Sequence, residues 1–187
     1  MPTITLADVQ GGDVGVAHSK GFVAFVIRVV TRSKVNHAFV LEVVGPTPET
    51  TTVIQAEARG VSRTTLDKVA PGGYIELLAA PPEVDRSKVV AFARSRMGVR
   101  YGFASIASIL FTLATPRIIR FDFRRSGTLV CSALVALSLL AGGWLEEISD
   151  YYQFTPAQVR RALRLLDGPV RSDDLRLNGA LVRTPPP

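Results

Sequence analysis

Cys131 and His37 are the two residues of this chain whose types together suggest chemistry. A thiolate is a nucleophile, and an imidazole within reach can take its proton. The chain has one cysteine and two histidines. Cys131 opens the run Leu129 to Gly143, LVCSALVALSLLAGG, whose stretch after the cysteine carries no charge, Pro or Gly until Gly142-Gly143. The run predicts a buried helix stopped by the two glycines. Cys131 then falls in its first turn, where unpaired N–H groups and the positive end of the helix dipole favour a thiolate. A lone cysteine there also serves as a small buried apolar residue. The sequence of this segment leaves both roles open.

His37 sits in Val35 to Val44, VNHAFVLEVV, a strand in which it shares a face with Phe39 and Leu41. The next strand, Thr51 to Ala58, puts Thr52, Ile54, Ala56 and Ala58 on one face and Val53, Gln55 and Glu57 on the other. Pairing the two as a hairpin across Gly45 to Glu49 is the simplest topology. Gln55 or Glu57 then stands near His37 to orient its ring, the third role of a triad. The bland alternatives are a core histidine and a half-exposed polar strand face.

Other elements must position these residues. Val14 to Ala17 is a short strand. Phe22 to Arg32 is a helix whose Phe22, Phe25, Val26, Val29 and Val30 pack on a core. Thr64 to Val69 is short helix or extended chain, and Tyr74 to Ala79 a third strand. A helix starts near Asp85, buries Val89, Val90, Phe92, Ala93 and Met97, and stops at Gly98. Tyr101 to Thr115 predicts another buried helix, too short to span a bilayer. Arg117, Arg120, Arg124 and Arg125 interleave with apolar residues after it, a pattern suited either to an anionic membrane surface or to a flap with its arginines in water. Trp144 to Tyr152 is an acidic loop. Thr155-Pro156 caps a helix to Leu166 that carries Arg160, Arg161 and Arg164 outside.

Composition sets the bounds. The 187 residues are 47% hydrophobic and 20% charged, which suits one domain with a sizeable core. One cysteine excludes an internal disulfide framework, and with two histidines no metal site or other cofactor is expected. The N-terminus lacks a signal-peptide pattern and no apolar run reaches about 18–20 residues, so a cytoplasmic, soluble protein is expected. The net charge of +6 favours anionic surfaces, a membrane or a cell wall, while no nucleic-acid-binding motif accompanies it.

Several pieces, in order, resemble one family. Gly12-Asp13-Val14 with Ser19-Lys20-Gly21 resembles its opening motif, Ser33 to Ala38 its histidine strand and Val53 to Ala56 the strand after it. Gly98-Val99-Arg100-Tyr101 resembles its tyrosine segment, Val130 to Val135 its cysteine helix, and Thr155-Pro156-Ala157 the element that follows. The family is the circularly permuted branch of the NlpC-like papain-fold cysteine hydrolases, which includes the lecithin retinol acyltransferase-like proteins. The resemblance spans residues 11 to 160, with the histidine before the cysteine.

The resemblance implies an α+β, permuted papain-like domain over 1–170, an antiparallel sheet packed against the cysteine helix, and a C-terminal tail at 171–187. It implies Cys131 as nucleophile, His37 as base, Gln55 as orienting residue with Glu57 as the alternative, and Tyr101 as an aromatic at the substrate site. The family more often has His or Glu where Gln55 stands, and its usual Asp after the tyrosine is Gly102 here. The implied activity is amide hydrolysis through an acyl-enzyme, with cell-wall peptides among the substrates and a phage-encoded or delivered protein among the settings. A lipid-directed acyltransferase or esterase, or a binding module that keeps the fold, are the other readings.

Overall fold

The computed structural model describes residues 6, 9–20, 24–25, 28–29, 33–102, 128–144, 154–165, 176–177 and 180–181. Five strands form its main sheet: β1 (Val14–His18), β2 (His37–Val43), β3 (Thr52–Glu57), β4 (Gly60–Thr65) and β5 (Tyr74–Leu78). Their spatial order is β4-β3-β2-β1-β5, and all neighbours run antiparallel. The His37 strand is therefore central, and β2 and β3 pair antiparallel across Gly45 to Thr51. A single 3-10 turn, Leu66–Lys68, follows β4. The segment from Gly60 continues the sheet, which the turn residues Arg59-Gly60 had concealed in the sequence. Gly60 itself has φ +107°, a backbone conformation suited to glycine, and it lies opposite Glu57 in the β3–β4 register.

Strand alternation divides the apolar residues between two faces. Val14, Val16, Ala38, Val40, Ile54, Ala56 and Leu78 point to one face and join a cluster with the helices. Ala17, Phe39, Leu41, Val53, Ile75 and Leu77 point to the other, covered by Leu66, Val69, Ala70, Leu6 and Val9. Gly15 lies opposite Phe39 in the β1–β2 register, and a Cβ there would overlap the Phe39 ring.

Among the described residues, α1 (Arg86–Ser95), α2 (Cys131–Ala141) and α3 (Pro156–Leu165) are helices that come after the sheet strands. Asp85 caps α1 by accepting the N–H groups of Ser87 and Lys88. Thr155 caps α3 reciprocally with Gln158: Thr155 Oγ1 accepts the Gln158 N–H, and Gln158 Oε1 accepts the Thr155 N–H. α2 is buried on nearly every side, through Ala133, Leu134, Val135, Ala136 and Leu139, so it packs between the sheet and its flanking helices. Two short parallel strands, β6 (Arg100–Tyr101) and β7 (Thr128–Leu129), lead into it. A last pair, β8 (Arg176–Leu177) and β9 (Ala180–Leu181), is antiparallel.

Buried carboxylates pin the helices to the sheet. Glu42 of β2 accepts Arg94 of α1 at 2.6 Å and also Arg63 of β4. Asp13, just before β1, accepts Arg86 of α1 at 2.9 Å. Glu76 of β5 accepts Arg160 of α3 through both oxygens, one of them at 2.8 Å. Each carboxylate is nearly inaccessible, so its charge is held by its arginine rather than by water.

Three packing expectations are corrected. Phe25 and Val29 are 56% and 57% exposed, not packed on the core. The described part of that helix instead turns Ala24 inward, and Arg28, four residues on, bonds Ser19 O and Asn36 Oδ1. Met97 is exposed because α1 ends at Ser95, before its position could complete the buried stripe. Arg160 turns inward to Glu76 rather than outside. The expectations for 103–127 and 145–153, the apolar Arg-flanked stretch and the acidic loop, lie outside the described residues. Among the described residues no helix is long and apolar enough to cross a membrane.

Candidate active site

The site is assembled at one end of the sheet. His37 is the first residue of β2 and Cys131 the first of α2. α2 packs on the face formed by Ala38 and Val40, whereas alternation aims His37 to the Phe39 side. Only at a strand end can a ring and a thiol from opposite faces meet. There the Cys131 sulfur is hydrogen-bonded to the His37 ring and also accepts the backbone N–H of Ala38 and of Ser132.

The helix start explains the second of those N–H bonds. Val130 is the N-cap of α2, and its side chain has no oxygen to accept the first-turn donors. Ser132 occupies the position whose N–H a capping oxygen would take. That N–H instead helps to lower the Cys131 pKa, so the helix start favours negative charge on sulfur. The Ser132 hydroxyl donates to Phe154 O, which ties this turn to the chain entering α3.

His37 is held from its other edge. Its Nε2 lies 2.8 Å from Gln55 Oε1. The strand register pairs Gln55 with Phe39, so Gln55 and His37 are diagonal neighbours on one face. An amide oxygen only accepts, so Nε2 carries the proton and donates. Nδ1 is the ring nitrogen left to face Cys131, unprotonated in the neutral ring. Glu57 ends β3 exposed and makes no hydrogen bond to the ring, but its negative charge favours the imidazolium. Gln55 thus holds the orienting contact, and Glu57 acts through the field alone.

Burial opposes charge on both partners. For Cys131 burial is the largest influence and pushes the thiol pKa up. The His37 hydrogen bond and charge, with the Ala38 and Ser132 N–H groups, outweigh it and hold the thiol below its ordinary value. For His37 burial is again the largest influence and pushes the pKa down. Cys131, by hydrogen bond and charge, then Gln55 and Glu57, raise it above its ordinary value. The two shifts favour thiolate with imidazolium.

Tyr101 of β6 completes the surroundings. Its hydroxyl is hydrogen-bonded to Cys131, and its pKa is pushed far up by burial, then by the Cys131 charge and hydrogen bond, then by Glu57. A phenol so placed stays protonated and donates to the sulfur. Cys131, His37 and Gln55 are 5%, 8% and 3% exposed, so water competes little for these bonds.

The structure therefore brings Cys131, His37, Gln55 and Tyr101 together. Two contributors were not singled out from the sequence. The Ala38 N–H has no side-chain signal at all. Asn36 precedes His37 and is buried, with its Nδ2 donating to Ser19 Oγ at 2.6 Å and its Oδ1 accepting Arg28 Nη1 at 3.0 Å and the Ser19 N–H. A polar residue next to the histidine was the available hint. Among the described residues no group of three His, Cys, Asp or Glu side chains is placed to hold a metal ion. A comparison with known family models and with curated proteins finds no match for this chain.

Proposed function

We propose that the protein is a cysteine hydrolase of amide bonds that works through an acyl-enzyme, on a permuted papain-like domain. One observation carries this reading: the Cys131 sulfur is hydrogen-bonded to a buried histidine whose far nitrogen is fixed by Gln55. A structural cysteine needs neither the imidazole nor the orienting amide.

The steps follow from the geometry. The Cys131 thiolate attacks the carbonyl carbon, and the carbonyl π electrons move to oxygen. N–H groups at the start of α2 stabilise that oxyanion. The protonated Nδ1 of His37 gives its proton to the leaving amine as the C–N bond breaks, which leaves a thioester. Water then attacks the thioester, His37 takes its proton, and the acid leaves with the thiolate restored. Gln55 keeps Nε2 protonated throughout, so Nδ1 is always the atom that exchanges the proton. Peptides are the substrate class the family resemblance favours. An amine or lipid hydroxyl in place of water would make the same site an acyltransferase.

The test is covalent. Incubation with p-nitrophenyl acetate, followed by intact-mass analysis, should show one acetyl adduct on the native protein and none on Cys131→Ala or His37→Ala. Equal acetylation of all three proteins would contradict the reading.

A further inference from the structure

At the sheet end where β2 begins lies an open cavity of about 390 Å³ whose described lining is His18, Phe25, Arg28, Val29, Ser33, Lys34 and Tyr74. We propose that it is a subsite for an anionic group, carboxylate or phosphate, joined to an apolar chain. The inference rests on the hydrolase reading only for its role as a substrate subsite. The binding itself does not depend on it.

The position comes from the sheet register. Ala17 pairs with His37, so His18 is the next residue along β1 at the same sheet end. Tyr74 pairs with His18 from β5. Adjacent strands lie about 4.8 Å apart, which puts His18 one strand and Tyr74 two strands, roughly 10 Å, from the His37 strand. The cavity therefore lies at the sheet end where the His37 strand begins.

The chemistry comes from the lining. His18 and Tyr74 stack, with ring centroids 5.1 Å apart, and both donate to Lys34 O, at 2.8 and 3.1 Å. The two rings make a fixed apolar wall. Phe25 and Val29 face it from the helix and are more than half exposed, a large apolar area left to solvent. Among the described lining residues the charged groups are Arg28 and Lys34, both cationic. No described carboxylate pairs with either cation. Arg28 is spent on Ser19 O and Asn36 Oδ1 through Nη1, whereas the exposed Lys34 ammonium is available to a ligand. Apolar walls with cations are complementary to an anionic amphiphile.

Calorimetry on the full-length Cys131→Ala protein, which cannot turn substrate over, tests this with N-octanoylglycine and its methyl ester. The acid should bind, and the neutral ester should bind at least about tenfold more weakly, the scale of one charge-assisted contact. Lys34→Glu should weaken the acid by about the same factor, and Lys34→Arg should restore it. Co-sedimentation with phosphatidylglycerol vesicles separates the two sources of such a ligand. Binding of the soluble acid alone assigns the site to a free amphiphile. Binding of acid and vesicles, both lost in Lys34→Glu, assigns it to a lipid headgroup. Equal binding of acid and ester, no binding of the acid, or binding indifferent to Lys34→Glu would overturn the proposal. Failure here leaves Cys131 acetylation in the native protein unaffected, so the two readings fail separately.

Discussion

Gln55 Oε1 lies 2.8 Å from His37 Nε2, across a diagonal of the β2–β3 ladder. This contact fixes the tautomer of the histidine and so determines which nitrogen can serve Cys131. It is also neutral, which distinguishes it from a carboxylate in the same place. Gln55→Glu should raise the His37 pKa further by stabilising the imidazolium, and Gln55→Ala should lower it. NMR titration of the His37 ring reads both shifts. Movement in the same direction in both variants would show that Gln55 is only a packing residue.

The two pKa shifts set a pH window for the proposed amide hydrolysis. As pH falls through the lowered thiol pKa, the thiolate is protonated and attack is lost. As pH rises through the raised His37 pKa, the imidazolium loses the proton it must give to the leaving group. The acylation rate with an amide substrate should therefore be bell-shaped, with its plateau between the two. Removal of Glu57, whose charge raises His37, should draw the alkaline limb to lower pH while leaving the peak rate nearly unchanged. A rate that only climbs with pH up to the ordinary thiol value would contradict the paired state.

Tyr101 donates to the sulfur from β6. Tyr101→Phe keeps the ring and removes the donor, so the thiolate loses one stabilising bond. The midpoint of thiol ionisation should rise by about one pH unit, from the value of a hydrogen bond to a charged group. Ultraviolet absorbance of the thiolate as a function of pH measures it. An unchanged midpoint would assign Tyr101 to substrate contact alone.

Glu76 and Arg160 join β5 to α3 at a site closed to water. Arg160→Met leaves the carboxylate buried without its guanidinium and should cost about 3 kcal/mol of stability. The double variant Glu76→Leu/Arg160→Met should recover most of that loss, because the pair's desolvation cost goes with it. Urea unfolding of the two variants gives the comparison. A double variant less stable than the single would show that the ion pair is a net stabiliser.

Gly15 faces the Phe39 ring with no room for a Cβ. Gly15→Ala should destabilise by about 1–3 kcal/mol, the usual cost of overpacking. Phe39 is two residues from His37 on the same strand face, so the displaced ring should also perturb the His37 resonances. A stability unchanged from the native protein would show that the β1–β2 register differs.

The parts of the fold legible in the sequence are those written in local pattern. The Cys131 helix is announced by an uncharged run and a double glycine, and the His37 and Gln55 strands by alternation. The hairpin between those strands follows from their adjacency, and with it the closeness of Gln55 to His37. The choice between Gln55 and Glu57 depends on register, which alternation alone leaves open because both share a face. Phe25, Val29 and Met97 mislead because helical periodicity names an apolar stripe without saying that anything covers it. Arg160 misleads in the opposite sense. A charged residue is assigned to water unless its partner, here Glu76 of a strand 84 residues earlier, is known. The Ala38 N–H on the sulfur is a backbone group, to which side-chain identity gives no clue.

The rate of Cys131 alkylation by iodoacetamide as a function of pH, in the native protein and in His37→Ala, tests the central claim most directly. The paired site predicts reaction well below the ordinary thiol range, near 8.5. It also predicts that His37→Ala moves the profile back toward that range or above it, because burial then acts on the thiol unopposed. A thiol that stays inert until the protein unfolds, or one whose profile ignores the loss of His37, would contradict the account and return Cys131 to the core.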